Sequence, residues 1–208
     1  MDTLFGAEGS GSVAVEIALG RCNVSYTLIP ACAWEEGAHK EALEQANPLV
    51  QVPTLILPDG RVMTESVAIL IHLGLEFPES GLLPRSVASQ AHALRALVYI
   101  AANCYSAIGI IDHPERWMPD TDQVSLTRLE EGARLRLYEH WETFSDVFVQ
   151  PDFWRPDAPG AVEVLAAVVT RWSGTREHLQ MRRPEFHVSL LQIDAHPTVK
   201  PVAERQWA

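Results

Sequence analysis

The residue types that carry chemistry in this chain fall in two places. Near the start, Glu8-Gly9-Ser10-Gly11-Ser12 lies between the short apolar run Thr3–Ala7 and the helically spaced Val13, Ala14, Ile17, Ala18 and Leu19. A strand, a glycine-rich turn and a helix set the hydroxyls of Ser10 and Ser12 at a helix N-terminus, where unpaired N–H groups favour an anion. Farther on, Asn47 to Ile71 reads NPLVQVPTLILPDGRVMTESVAILI. Pro53 has no N–H to give a sheet, so it marks the start of a strand. Pro58-Asp59-Gly60 between two apolar runs is a hairpin connection, because Pro presets φ and Gly accepts a positive φ. From Val67 the apolar residues recur at helical spacing through Leu75, with Ser66 or Thr64 placed to cap the first turn. The outward-facing main chain of Val52 and the N–H groups of that helix bound one small concave site, suited to an extended peptide with a carboxylate.

The run VPTLILPDGRVMTESVAILIHL resembles the glutathione-binding half of the glutathione S-transferase family, whose pattern is a cis-proline after Val, a hairpin, then Glu-Ser opening the third helix. The resemblance implies that Val52, beside Pro53, pairs main chain to main chain with the cysteine of glutathione, and that Glu65 and Ser66 hold its γ-glutamyl end. It also makes the anion at the first loop the glutathione thiolate. A free thiol with a pKa near about 8.5 is only a few per cent ionised at neutral pH, and lowering it by one unit takes about 1.4 kcal/mol of preference for the anion. Ser10 and Ser12 are the expected hydrogen-bond donors, with a backbone N–H of Ser10–Ser12 as the alternative. Aligned to the bacterial beta class, Gly11 stands at the class cysteine and Ser12 follows it; Gly6 stands where several classes carry a tyrosine. Val50-Gln51 replaces the Gly-Lys of many relatives, so Gln51 offers the glycine carboxylate a neutral hydrogen bond. Trp34, where the second helix begins, is expected to close over glutathione.

These residues need a scaffold, and the chain supplies one in order. After the first βα unit come a strand at Ser25–Ile29, a helical segment Glu35–Ala46 ended by Asn47-Pro48, the hairpin, and the Ser66 helix. The order β-α-β-α-β-β-α is that of an α/β thioredoxin-like domain, assigned to residues 1–78. A polar, proline-bearing break at Glu79–Pro84 separates it from an all-α helical bundle over residues 86–208. Helices are expected at Ser86–Ile111, Gln123–Phe148, Gly160–Trp172 and Pro184–His196. The helical half also resembles the family's second domain, which ends in a pattern like PEFHVSLLQIDAHPTV, although Pro159-Gly160-Ala161-Val162-Glu163 lacks the Ser/Thr of the usual capping box. Tyr99, Asn103, Tyr105 and Ser106 place polar atoms in an apolar helix and, with Trp117, are candidates to line a cleft for a second, apolar electrophilic substrate.

Composition narrows the partners. Of 208 residues, 47% are hydrophobic and 21% charged, as in soluble globular proteins, and a net charge of −11 disfavours nucleic acid. The three cysteines, Cys22, Cys32 and Cys104, are widely spaced and suggest a reducing compartment. No basic stretch and apolar core form a secretory signal, and the apolar run Ala96–Ile111 falls short of the roughly 20 residues of a bilayer span, so it reads as a buried core helix. The eight histidines contain no HxxH or HxxxH pair, and GSGS lacks the lysine of a phosphate loop, so neither a metal nor a nucleotide is expected. Together these readings point to a cytoplasmic, homodimeric glutathione transferase of detoxification type. The alternatives are a glutathione-dependent disulfide reductase and a non-catalytic interaction module of the same fold.

Overall fold

A computed structural model of the chain describes residues 1–31 and 37–207. The first half contains β1 (Asp2–Gly6), α1 (Ser12–Arg21), β2 (Tyr26–Pro30), α2 (Ala38–Ala46), β3 (Thr54–Ile56), β4 (Val62–Thr64) and α3 (Ser66–Glu76). The strands form one sheet in the order β2-β1-β3-β4, with β1 parallel to β2 and antiparallel to β3, and β3 antiparallel to β4. This is the thioredoxin-like arrangement. The hairpin closes as its residues require: Leu57 N–H donates to Arg61 O at 2.8 Å, and Gly60 takes φ 85°.

The second half is helical: α4 (Val87–Tyr99), a π-helical segment (Ile100–Tyr105), α5 (Ser106–Asp112), α6 (Gln123–Phe148), α7 (Ala161–Val169), α8 (Thr175–Arg182), α9 (Pro184–Ala195) and α10 (Lys200–Gln206). The expected single helix from Ser86 to Ile111 runs without a gap as Val87–Asp112, with the π-helical segment inside it. By length and composition Val87–Asp112 is able to cross a membrane, which corrects the length argument drawn from Ala96–Ile111. In the fold its inner side packs on α6 and α7, with Leu97, Ile100 and Cys104 fully buried. The expected helix Gly160–Trp172 ends early, at Val169, and α8 and α10 are additions that the sequence reading did not separate.

All nine residues of α7 are buried, so it forms the centre of a core that crosses both halves and includes Leu4, Ile17 and Leu70 on one side and Leu97, Trp141 and Leu165 on the other. Each such side chain contributes about 1.5–3 kcal/mol by leaving water. On the other face of the sheet, Phe5, Ala31 and Leu43 form a second cluster that fastens α2. At the start of α7 the pair of capping-box bonds is incomplete, as the missing Ser/Thr implies, but the half supplied by Glu163 is present. Glu163 accepts from the N–H of Gly160 at 2.9 Å and of Arg155 at 3.0 Å. The reciprocal side chain is excluded, since a Cβ on Gly160 would stand 2.8 Å from Leu82 O. Burial pushes the Glu163 carboxyl up.

Candidate active site

The site lies where β1 turns into α1, opposite the loop before β3 and the first turn of α3. Asn47 builds that loop. Buried to 4% exposure, it donates through Nδ2 to Gln51 O at 3.1 Å and to Thr54 Oγ1 at 3.0 Å, and accepts from Leu49 N–H at 3.0 Å. Thr54 Oγ1 in turn donates to Gln51 O at 2.8 Å. The sequence reading treats Asn47 only as a helix stop, yet its amide fixes the turn that presents Gln51, Val52 and Pro53. The Val52-Pro53 peptide is cis, and Pro53 is buried. Pairing of β3 with β1 begins at Thr54, so Val52 lies beyond the ladder, as the proline demands. Gln51 is exposed. Val50 sits at φ 51°, a left-handed conformation that a β-branched residue rarely takes and that a glycine, as in many relatives, would take freely.

At the start of α3 the expected side-chain cap is not made. Neither Thr64 nor Ser66 caps the helix; Glu65 occupies the N-cap position with φ 66° and ψ 111°, and Ser66 is the first helical residue. The hydroxyl of Ser66, mostly buried, points instead to Tyr105 Oη at 3.1 Å. A tyrosine from the helical half thus reaches the first turn of α3.

The first loop differs from expectation in the same sense. Ser10 Oγ donates to Ala7 O at 2.7 Å, lies 2.8 Å from Ser12 Oγ, and accepts from Ser12 N–H at 3.2 Å. Ser12 is 0% exposed, and its hydroxyl also lies 3.2 Å from Ala7 O. Both hydroxyls turn inward to brace the loop, and Ser12 is not presented to the cleft. This packing explains why no tyrosine stands at Gly6, where a Cβ would be 2.7 Å from Ser12 Oγ. Gly11 has an ordinary helical φ of −61°, so only space calls for glycine there. A Cβ on Gly11 would stand 2.9 Å from Tyr105 Oη and 3.7 Å from Pro53 Cδ. Tyr105 therefore fills the room that a side chain at the class-cysteine position would need.

Tyr105 is held from behind. Its ring meets Trp172 edge-on at 5.7 Å, and Trp172 Nε1 donates to Gly9 O at 2.8 Å. On the other side of that residue, Gly9 N–H donates to Gln206 Oε1 at 3.3 Å. Burial pushes the Tyr105 hydroxyl up to about 12, with the nearby Glu65 charge acting the same way and the Ser66 hydrogen bond opposing. It stays protonated at neutral pH.

The other residues expected to line the cleft are engaged elsewhere. Asn103 Nδ2 donates to Tyr99 O at 3.0 Å and Ser106 Oγ to Ala102 O at 2.7 Å, which satisfies carbonyls along the π-helical segment. Tyr99 Oη donates to His140 O at 3.3 Å. Trp117 is 59% exposed beside α5 and α6. Trp34 and Cys32 lie outside the described residues, and Cys104 is a fully buried thiol whose pKa burial pushes up. Among the described residues no group of three or more His, Cys, Asp or Glu is placed to hold a metal.

Comparison with known proteins bears on the family and the fold. The family described as "Glutathione S-transferase, N-terminal domain" matches residues 12–75. The "Uncharacterized GST-like protein YncG" of Escherichia coli K12 is 35% identical over 124 residues, covering 59% of this chain and 60% of that protein. "Glutathione S-transferase GstA" of Escherichia coli O157:H7 is 30% identical over 148 residues, 66% of this chain and 71% of the relative. A "Probable maleylacetoacetate isomerase" of Caenorhabditis elegans is 39% identical over 94 residues, 45% of this chain and 42% of the relative. The crystal structure of a glutathione transferase homolog from Sulfitobacter with bound glutathione superposes with a TM-score of 0.85 at 21% identity, covering 99% of this chain and 98% of that one.

Proposed function

The chain belongs to the glutathione S-transferase family, and from that premise we propose that it binds glutathione in the cleft between Gln51–Pro53 and Glu65–Ser66 and delivers the thiolate to an apolar electrophile. The observation that carries this reading is that Gly11 meets both Pro53 and Tyr105, whose hydroxyl also reaches Ser66, so the first loop, the cis-proline turn and the start of α3 face one another. Main-chain groups at Val52 receive the cysteine, Ser66 and Glu65 the γ-glutamyl end, and Gln51 the glycine carboxylate. On binding, the thiol proton passes to solvent. The sulfur then forms a bond to the electrophilic carbon, and either a halide leaves with the displaced electron pair or, on a conjugated alkene, the new carbanion takes a proton from water. The protein acts as a homodimer in the cytoplasm, in keeping with the family pattern.

A second reading shares the thiolate but not the outcome. The similarity to a probable maleylacetoacetate isomerase favours reversible addition: the sulfur adds to an activated double bond, the adduct rotates, and the thiolate is expelled. Turnover separates the readings. Purified protein with glutathione is expected to conjugate a chlorinated nitrobenzene. Isomerisation of a cis-enedione without net loss of glutathione would replace that reading with the isomerase. Reduction of hydroxyethyl disulfide alone would make it a reductase, and binding without any turnover a non-catalytic module.

A further inference from the structure

The inward turn of Ser10 and Ser12 leaves the thiolate without the side-chain donors expected at the first loop. We propose that Tyr105, supplied by the helical half, is the catalytic residue that donates its hydroxyl hydrogen to the glutathione thiolate. Three features of its placement carry this. Tyr105 Oη stands over the start of α1, 2.9 Å from where a Gly11 side chain would begin. That same Gly11 position is 3.7 Å from Cδ of Pro53, at the turn where an extended peptide would carry its cysteine, and Tyr105 Oη is 3.1 Å from the Ser66 hydroxyl. It also closes the π-helical segment Ile100–Tyr105, and each residue added to a helix rotates the residues after it by about 100°, so the segment re-aims this side chain away from the regular α-helical direction.

Chemistry and support agree with placement. The hydroxyl, pushed up to about 12, remains a donor throughout the range in which glutathione ionises, and the thiol proton goes to solvent and not to the tyrosine. Trp172 holds the ring against the loop by binding Gly9 O, so the donor and the α1 N-terminus are fixed to one another. The glycine at position 11 is explained by the same geometry: a cysteine there and a tyrosine at 105 compete for one volume.

The proposal rests on the glutathione-binding reading, and the test separates the two. Calorimetry first establishes that the wild-type protein binds glutathione; absence of binding overturns the reading and this proposal with it. The bound thiolate is then titrated by its ultraviolet absorbance in wild type, Tyr105→Phe and Ser10→Ala. The expected result is a rise in the bound thiol pKa of about one unit for Tyr105→Phe, with kcat/KM at neutral pH down about tenfold. Ser10→Ala, which loosens the loop but removes no proposed donor, should shift the titration less than Tyr105→Phe, and an equal or larger shift would overturn the proposal. Incorporating 3-fluorotyrosine at 105, a more acidic donor in the same shape, should move the bound thiol pKa down. An unchanged titration in Tyr105→Phe, or a loss of glutathione affinity with the thiol pKa unmoved, would overturn the proposal while leaving glutathione binding intact.

Discussion

Glu65 holds a backbone conformation, φ 66° and ψ 111°, that an L side chain does not choose, and its exposed side chain gains no packing in return. Such a residue costs about 1–3 kcal/mol and persists where the fold requires the geometry. Glycine accepts this conformation but carries an entropy cost of its own, about 0.5–1 kcal/mol. Glu65→Gly should therefore stabilise the protein by about 1 kcal/mol, raising Tm by about 2–4 °C, while weakening glutathione binding. Thermal denaturation and calorimetry on the same variant check the opposed signs; a fall in both would mean that Glu65 is ordinary structure. At this scale the sequence showed which residue types were present but not which way they face. Glu-Ser was legible at the mouth of α3, whereas the positive φ at Glu65 and Val50 has no signal in a Glu or a Val. The serines of the first loop were legible as helix-start hydroxyls. Whether they point out or in is decided by Ala7 O and by the space under Gly6, which a local reading does not contain.

Elements with a long apolar stripe were legible nearly to the residue. Gln123–Phe148 is α6 as expected, because Ala133, Leu137, Trp141 and Phe144 recur at helical spacing over many turns. The hairpin was equally plain from Pro-Asp-Gly. Short helices with a small buried face were not: α8 buries only Thr175 and Leu179 among its eight residues, and its polar sequence reads as a loop. The π-helical segment leaves no periodic mark at all, and it explains why Asn103 and Ser106 looked like cleft residues. Their side chains serve the backbone of the helix that carries Tyr105. Asn103→Ala should lower stability by about 1 kcal/mol through the lost bond to Tyr99 O. If Asn103 has only this role, the KM for the electrophile stays as in wild type when steady-state kinetics are compared. A raised KM with unchanged stability would return Asn103 to the substrate cleft.

Across the whole molecule the two halves were each readable, through the resemblance and through helical periodicity, but their contacts were not. Trp172 and Gln206 grip the two sides of Gly9, and the buried Glu16 of α1 accepts from Gln206 Nε2 at 2.6 Å, Arg205 at 2.7 Å and Tyr26 Oη at 2.9 Å. Pairings between residues this distant in sequence arise from packing around α7 and not from any local pattern. They make the first loop part of a rigid wall, joined to the helical half that supplies Tyr105. On the proposed function, this wall and the Val52-to-Ser66 face form one glutathione cleft. Isothermal titration of glutathione into the wild-type protein and into the double variant Glu65→Ala/Ser66→Ala tests it most directly. The expected result is binding in the micromolar to low-millimolar range, about −8 to −4 kcal/mol, that the double substitution abolishes. No heat with the wild type, or equal binding by both proteins, would contradict it.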